Sequence, residues 1–191
     1  MLWALIAVAG VGMVALYPAE QTHTRGPASG AAKTSFGGPF TLEGADGRPF
    51  SSRALAGKPV AMYFGFTRCA DVCPTTLSRL VRLRREAAND GAMNIVFVTI
   101  DPANDGPKEV GQYASLFNAP IIGLTGTQAQ IDLVKKQYGI YAQPTPNAPM
   151  GKQMMHTATV LLLDREGQLA GTISADESDA DAVTTIKKLV A

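Results

Sequence analysis

The 191-residue chain has few residues suited to metal binding or redox chemistry, with only two cysteines and two histidines. It also has almost no excess charge of either sign. The formal net charge of +1 gives no bulk electrostatic reason to expect a nucleic-acid partner. The sequence contains neither a glycine-rich phosphate loop nor an internal repeat. These absences give no support to nucleotide binding or to a repeat architecture.

One long apolar run stands at the start of the chain, where residues 2–17 carry no charge and Pro18 ends the run. As a helix the run would rise about 25 Å, at the short end of what spans a bilayer. Trp3 and Tyr17 lie near its ends, where aromatic rings favour the membrane interface. A cleaved signal peptide and a buried core helix are the alternatives. A signal peptide is disfavoured because no Lys or Arg precedes the run and no good small-x-small cleavage site follows it.

The chain therefore divides into three predicted segments. Residues 1–17 are expected to form a transmembrane anchor. Residues 18–38, rich in Pro, Gly, Ala, Ser and Thr, are expected to form a flexible linker. Residues 39–191 are expected to form one folded domain.

Within that domain, strand and helix patterns alternate in the order hairpin, β, α, β, α, β, α, β-hairpin, α. This order predicts an α/β fold with a central, mostly parallel mixed sheet, helices on both faces and an antiparallel edge. The last hairpin has a second, returning strand. Apart from that strand and the first hairpin, the predicted strands are residues 60–66, 94–100, 121–124 and 157–163. Residues 143–152, with three prolines, are predicted to be a loop.

Cys69 and Cys73 come directly after the strand predicted at residues 60–66 and just before a helix that opens with Pro74. Open α/β sheets place their sites at the carboxyl ends of strands, so this turn is the candidate site. Four interpretations are open: buried structural thiols, a structural disulfide, thiol–disulfide exchange, and a metal site. A disulfide closing so small a loop stabilises modestly. Redox-active cysteine pairs usually have two residues between them. Here there are three, so the two cysteines are expected to be further apart.

His156 is the only histidine of the predicted domain and stands at the entry to the strand predicted at 157–163. Because a cysteine pair lies at a neighbouring strand end, we interpret His156 as a metal ligand and not merely as a hydrogen-bonded polar residue. Two thiolates and one imidazole fall one ligand short of a structural zinc site. Cu(I) accepts low coordination and prefers thiolate, so copper suits this set better. Just before the histidine come Met150, Met154 and Met155, which are core and loop residues or additional thioether ligands.

Together these residues resemble the Sco family (also called SenC/PrrC), the membrane-anchored copper proteins of cytochrome c oxidase assembly. The resemblance covers roughly residues 39–190 and the anchor. Its motifs are Tyr63-Phe64-Gly65-Phe66-Thr67 with Cys69-x-x-x-Cys73-Pro74, then Thr99-Ile100-Asp101-Pro102 with Asp105 and Pro107, then Ile122-Gly123-Leu124-Thr125-Gly126, and finally His156-Thr157-Ala158-Thr159 with Leu163-Asp164-x-x-Gly167.

The resemblance implies a thioredoxin-like fold and a copper site made by Cys69, Cys73 and His156. Copper is implied as Cu(I) and also as Cu(II), with the two thiols redox-active and able to pair as a disulfide. Asp101 and Asp105 match a motif beside the site and are expected to order its loop.

The implied partners are the copper domain of cytochrome c oxidase subunit II and other copper carriers or thioredoxin-like reductants. No nucleic acid is expected. The implied location is the inner membrane, through a single N-terminal helix, with the domain in the periplasm or, in a eukaryote, in the mitochondrial intermembrane space.

A metallochaperone that delivers copper to, or matures, the binuclear copper site is therefore favoured over a turnover enzyme. The alternative is a membrane-tethered thiol–disulfide oxidoreductase that reduces cysteines of a partner protein. A peroxidase is disfavoured because the proline expected ahead of its reactive cysteine is absent. Two positions depart from the family pattern: Met155 stands where an aspartate is common, and Gly106 stands where a threonine is common. Met155 removes a charge that would tune the site and offers a soft ligand instead.

Overall fold

The computed structural model describes residues 36–88, 91–145 and 154–191. The predicted anchor, nearly all of the predicted linker and Met150 lie outside these residues. Among the helices of the described residues, none combines the length and the apolar character needed to cross a membrane.

Apart from a short 3-10 helix at Ser52–Leu55, the described residues form nine strands and four α-helices, in nearly the order that the sequence predicts. They are β1 (Thr41–Gly44), β2 (Pro49–Ser51), β3 (Val60–Gly65), α1 (Val72–Ala87), β4 (Asn94–Thr99), α2 (Pro107–Ser115), β5 (Ile122–Thr125), α3 (Gln128–Gln137), β6 (Ala142–Pro144), β7 (Met154–His156), β8 (Val160–Leu163), β9 (Leu169–Ile173) and α4 (Asp179–Val190).

Seven strands form one sheet in the order β2-β1-β5-β4-β3-β8-β9. The three central strands β3, β4 and β5 run parallel, while β1 and β8 join them antiparallel on either side. All six residues of β3 are buried, as its unbroken apolar sequence requires of a strand covered on both faces. The mixed α/β sheet predicted from the sequence is confirmed, and the carboxyl end of β3 becomes the place where a site can form.

The two faces of the sheet are covered by different helices. Tyr63 and Phe97 lie on one face as register partners, and the ring of Phe97 meets that of Tyr113 from α2 at 5.1 Å between centroids. Phe64, one residue further along β3, points to the opposite face and meets Tyr138 at the end of α3 at 6.0 Å. The predicted covering of both faces is therefore present.

The carboxyl-terminal helix is tied to α1 by charged groups. Arg79 donates to the carboxylate of Asp179 at 2.8 Å and to the carbonyl of Ser174 at 3.0 Å. Arg82 pairs with the same Asp179 at 2.7 Å. These bonds link the helix that carries Cys73 to the last element of the described chain.

The structure differs from the prediction between residues 142 and 159. Met154–His156 pairs with Ala142–Pro144 in a separate two-stranded sheet, in which Ala142 is the partner of His156. Residues 143 and 144 were predicted as loop, and residues 157–159, predicted as the start of a strand, belong to none, since β8 begins at Val160. We call β6 and β7 the ribbon. His156 therefore belongs to the ribbon and not to a strand of the main sheet. Each ribbon strand is only three residues long, so the alternation of apolar and polar residues is too short to detect in the sequence. One strand also ends in Pro144, whose nitrogen cannot donate a hydrogen bond to a neighbouring strand.

Candidate metal centre

The two cysteines lie where the chain leaves β3 and enters α1. Cys69 is half-buried in the connecting turn, and its N–H donates to the carbonyl of Phe66 at 3.2 Å. Cys73 is fully buried as the second residue of α1, which begins at Val72 and carries Pro74 in its first turn. The N–H of Cys73 donates to the sulfur of Cys69 at 3.3 Å. An amide of the first helical turn is thus used to hold the more exposed sulfur.

Asp105 fixes the start of the cysteine turn from the neighbouring strand end. Its carboxylate is fully buried and accepts the N–H of Thr67 at 2.9 Å and its hydroxyl at 2.5 Å. The same carboxylate accepts the hydroxyl of Thr99, the last residue of β4, at 2.6 Å. The backbone carbonyl of Asp105 accepts the hydroxyl of Thr125 at 2.6 Å. One residue therefore ties together the carboxyl ends of three parallel strands, which agrees with the loop-ordering role expected for it.

Asp101 supports the other side of the turn. It forms an ion pair with Arg68 at 2.6 Å, and its carboxylate also accepts the side-chain amide of Asn104. Arg68 immediately precedes Cys69, so this pair restrains the outer part of the turn. The loop-ordering role expected for Asp101 therefore has a contact that explains it.

The imidazole of His156 reaches the cysteines from the ribbon. Its Nδ1 lies 3.0 Å from the carbonyl oxygen of Thr157, which can only accept, so Nδ1 carries the proton and Nε2 is left as the electron-pair donor. The ring sits edge-on to Phe66 and Tyr63, with centroids 6.0 and 6.1 Å away. Burial lowers the pKa of His156, and the bond to Thr157 acts in the opposite direction. The ring is thus held neutral, as a metal ligand must be.

The ligand atoms of Cys69, Cys73 and His156 all lie within 4.8 Å of one another. The sulfur of Cys73 is 3.6 Å from Nε2 of His156. Metal–ligand bonds of about 2.0–2.3 Å place the donors of one ion about 3.5–4.5 Å apart, so a small adjustment accommodates a single ion. Both cysteines are free thiols in this structure.

The Cys73 thiol is held in its protonated form by its surroundings. Burial raises its pKa to about 12, and the hydrogen bond to Cys69 adds to the rise, while the N–H of Phe66 and the hydroxyl of Tyr63 oppose it. A soft metal ion would therefore have to displace a proton from this sulfur on binding.

Gly65, the last residue of β3, leaves the space that the buried sulfur occupies. A Cβ at this position would lie 2.9 Å from Sγ of Cys73 and 3.1 Å from both Cε2 of Phe97 and Cε1 of Tyr63. These distances are shorter than real side chains tolerate. Glycine is thus required here by the close approach of Cys73 and the two rings.

Met155 does not face the three ligand atoms. Alternate residues of a strand point to opposite faces, so Met154 and His156 share the inner face of the ribbon and Met155 lies on the outer face. Its side chain is 58% exposed. The position that departs from the family pattern is therefore a surface position beside the site, and the structure does not bring its thioether to the cysteines.

Sequence reasoning found the three donors but missed several residues that shape their site. Thr67 and Thr99 were noted only as parts of motifs, and their bonds to Asp105 have no signal in the sequence pattern. Tyr63 looked like one more apolar position of a buried strand, yet its ring contacts His156. Burial, and then the charge of Cys73, raise the pKa of Tyr63, so the phenol keeps its proton.

Known proteins share this sequence over most of its length. A family model described as SCO1/SenC matches residues 28–191. The mitochondrial protein SCO1 of Saccharomyces cerevisiae is 35% identical over 161 residues, which are 82% of this chain and 55% of that protein. A putative copper-binding protein of Stutzerimonas stutzeri is 35% identical over 130 residues, or 67% of this chain and 64% of that protein. The chain therefore spans little more than half the length of these relatives.

The fold is also similar to that of a solved protein. The structure of Bradyrhizobium japonicum ScoI with copper bound matches with a TM-score of 0.70 at 32% identity, covering 81% of this chain and 99% of that one. This similarity agrees with the thioredoxin-like fold expected from the sequence motifs.

Proposed function

This chain belongs to the SCO1/SenC family, and we propose that it is a copper chaperone whose ligands are Cys69, Cys73 and His156. The observation that carries the proposal is the convergence of two sulfurs and one imidazole nitrogen within 4.8 Å, from two parts of the chain, the start of α1 and the ribbon. Two soft donors and one borderline donor suit Cu(I), which accepts three-coordination. They leave a structural zinc site one protein ligand short.

The proposed role is to deliver copper to, or to mature, the binuclear copper site of cytochrome c oxidase subunit II. Other copper carriers or thioredoxin-like reductants would supply metal or electrons. The uncharged run at residues 2–17 supports a single membrane anchor, with residues 18–38 as a linker. The domain of residues 39–191 would then work beside the membrane, in the periplasm or the mitochondrial intermembrane space.

Anaerobic Cu(I) titration of the full chain against a chromophoric chelator tests the ligand set. The parent should bind one Cu(I). Cys69→Ala, Cys73→Ala and His156→Ala should each weaken binding by more than about 100-fold, since even residues that only orient ligands change metal affinity by about 10–100-fold. His23→Ala is the matched control, because it removes the chain's other histidine and should change nothing. Parent-like affinity in His156→Ala would overturn the three-ligand model.

A second function is favoured by the unequal exposure of the two thiols. Cys69 is half-buried and reachable, whereas Cys73 is fully buried behind it. In a thiol–disulfide reductase, the Cys69 thiolate would attack a disulfide of the partner and release one partner thiolate. Cys73 would then attack the mixed disulfide, leaving the partner as a dithiol and the pair as a disulfide. A thioredoxin-like reductant would return the two electrons.

Disulfide reduction in a protein substrate separates the two functions. His156→Ala should keep the reductase activity if the thiols act alone, and it should abolish tight copper binding if the chaperone role holds. Loss of substrate reduction in His156→Ala, with its thiols still free by thiol titration, would contradict the reductase reading.

A further inference from the structure

A buried hydroxyl without a hydrogen-bond partner lies beside the proposed copper ligands. Tyr63 is fully buried in β3, and its hydroxyl makes no hydrogen bond with any of the described residues. Leaving such a group unpaired is unfavourable, and buried polar groups in folded proteins nearly always have partners. The orphan hydroxyl therefore points to a bond that forms in another state of the protein.

The position of the ring identifies the candidate partners. Tyr63 and Gly65 are two residues apart in β3 and share one face, and the site of a Cβ on Gly65 lies 2.9 Å from Sγ of Cys73 and 3.1 Å from the Tyr63 ring. The phenol and the buried sulfur therefore border the same small space. The hydroxyl lies close enough to Cys73 to lower the pKa of its thiol, and the hydroxyl of Thr76 is the other polar group beside it, but neither contact has the geometry of a hydrogen bond.

The charge of the sulfur decides between these partners. In the structure Cys73 is a free thiol, and a thiol sulfur is a weaker acceptor than a hydroxyl oxygen such as that of Thr76. When a metal displaces the thiol proton, the sulfur becomes anionic, and hydrogen bonds to charged acceptors are roughly twice as strong as neutral ones. The phenol is then drawn to the sulfur and away from Thr76.

We propose that the Tyr63 hydroxyl donates a hydrogen bond to the Cys73 thiolate in the copper-bound protein, and that this bond favours Cu(I) over Cu(II). The proposal rests on the proposed function, because it requires copper at Cys73. Cu(II) withdraws more electron density from a thiolate than Cu(I) does, so the sulfur is a better acceptor in the reduced state. Hydrogen bonding around a cysteine sulfur is one of the means by which proteins set copper redox potentials. Tyr63 is thus a positioning residue that acts through Cys73.

Tyr63→Phe in the full chain tests this role, because it removes the hydroxyl and keeps the ring. We expect the ratio of Cu(I) to Cu(II) affinity to fall about fivefold, as for the loss of one ordinary hydrogen bond. We also expect the thiolate-to-Cu(II) charge-transfer band to move to longer wavelength, because the sulfur then donates more strongly. Both are measured by chelator competition and visible absorption, and neither would respond to a purely structural role.

Tyr138→Phe is the matched control. Its hydroxyl donates to the carbonyl of Gly38 at 3.3 Å, and its ring packs on Phe36, Phe40 and Phe64 and not on His156. It should leave the band and the affinity ratio as in the parent. If Tyr63→Phe binds copper with the parent's band and ratio, the role of Tyr63 is overturned while copper binding stands. If the parent itself binds no copper through its cysteines, the proposed function fails, and the role of Tyr63 fails with it.

Discussion

The two sides of the proposed copper site are built very differently. The cysteines follow the carboxyl end of a fully buried central strand. Asp105 ties their turn to the ends of two further strands, one through its buried carboxylate and one through its backbone carbonyl. The histidine stands on a ribbon of two three-residue strands outside the main sheet. Stability within a protein follows such differences, because elements with few buried contacts open more readily than core strands. The site therefore joins a rigid half, which holds two ligands, to a weakly supported half, which holds one.

The largest effect should come from removing the carboxylate that makes the cysteine half rigid. Asp105→Ala would leave the Thr67 N–H and the hydroxyls of Thr67 and Thr99 without their acceptor. We expect the free energy of unfolding to fall by about 3 kcal/mol, since each buried unsatisfied group costs about 1–3 kcal/mol and the site relaxes in part. Urea denaturation of the metal-free protein measures it.

Asp101→Ala serves as the control for that variant, because Asp101 pairs with the partly exposed Arg68. Asp101→Ala should lower the free energy of unfolding by less, about 1 kcal/mol. If the two variants lost the same free energy of unfolding, the comparison would fail, because the buried carboxylate of Asp105 would then stabilise the cysteine turn no more than Asp101 does.

An intermediate effect is expected from filling the space beside the buried sulfur. Gly65→Ala places a methyl group 2.9 Å from Sγ of Cys73, so the sulfur or the strand must shift. We expect Cu(I) affinity to fall about tenfold and the unfolding free energy by about 1–3 kcal/mol, as in overpacked cores. Chelator competition and urea denaturation measure the two losses.

Gly171→Ala is the matched strand variant, because a Cβ there meets only ordinary contact, with Thr185 at 3.7 Å. It should leave copper affinity unchanged. A Gly65→Ala protein with parent affinity would mean that the cysteine half is softer than its packing indicates.

The smallest effect should follow a change on the outer face of the ribbon. Met155→Leu alters a side chain that is 58% exposed and points away from the ligand atoms. We expect the Cu(I) dissociation constant to change by less than about twofold. A loss above about tenfold in the same chelator competition would show that the ribbon turns over to bring its thioether to the metal, which sharpens the difference between the two halves.

The sequence was informative where hydrophobic patterns are long and where residue types that can bind a metal are rare. The mixed sheet followed from unbroken apolar runs such as residues 60–66 and 94–100. Cys69, Cys73 and His156 were found because the chain has only two cysteines and two histidines. The structure brings their ligand atoms within 4.8 Å of one another, and their role as copper ligands stays a proposal.

The ribbon and the supporting contacts were not predictable in the same way. Three-residue strands carry too little periodicity, and one of them contains a proline. The partners of Asp105 are 6 and 38 residues away in sequence, so they depend on strand register, which the sequence pattern does not specify. Residues 1–17, the predicted anchor, lie outside the described residues, and that assignment stays a prediction.

The hydrogen bond between Nδ1 of His156 and the carbonyl of Thr157 has a consequence for speed. An imidazole that could rotate freely and exchange tautomers would often have the wrong orientation, or a proton on Nε2, when a metal ion arrived. Here the orientation and the tautomer are set while the chain folds, so no search remains at the moment of encounter. Although few contacts support the histidine half of the site, its donor atom is oriented before a metal ion arrives, which would favour rapid binding of the ion.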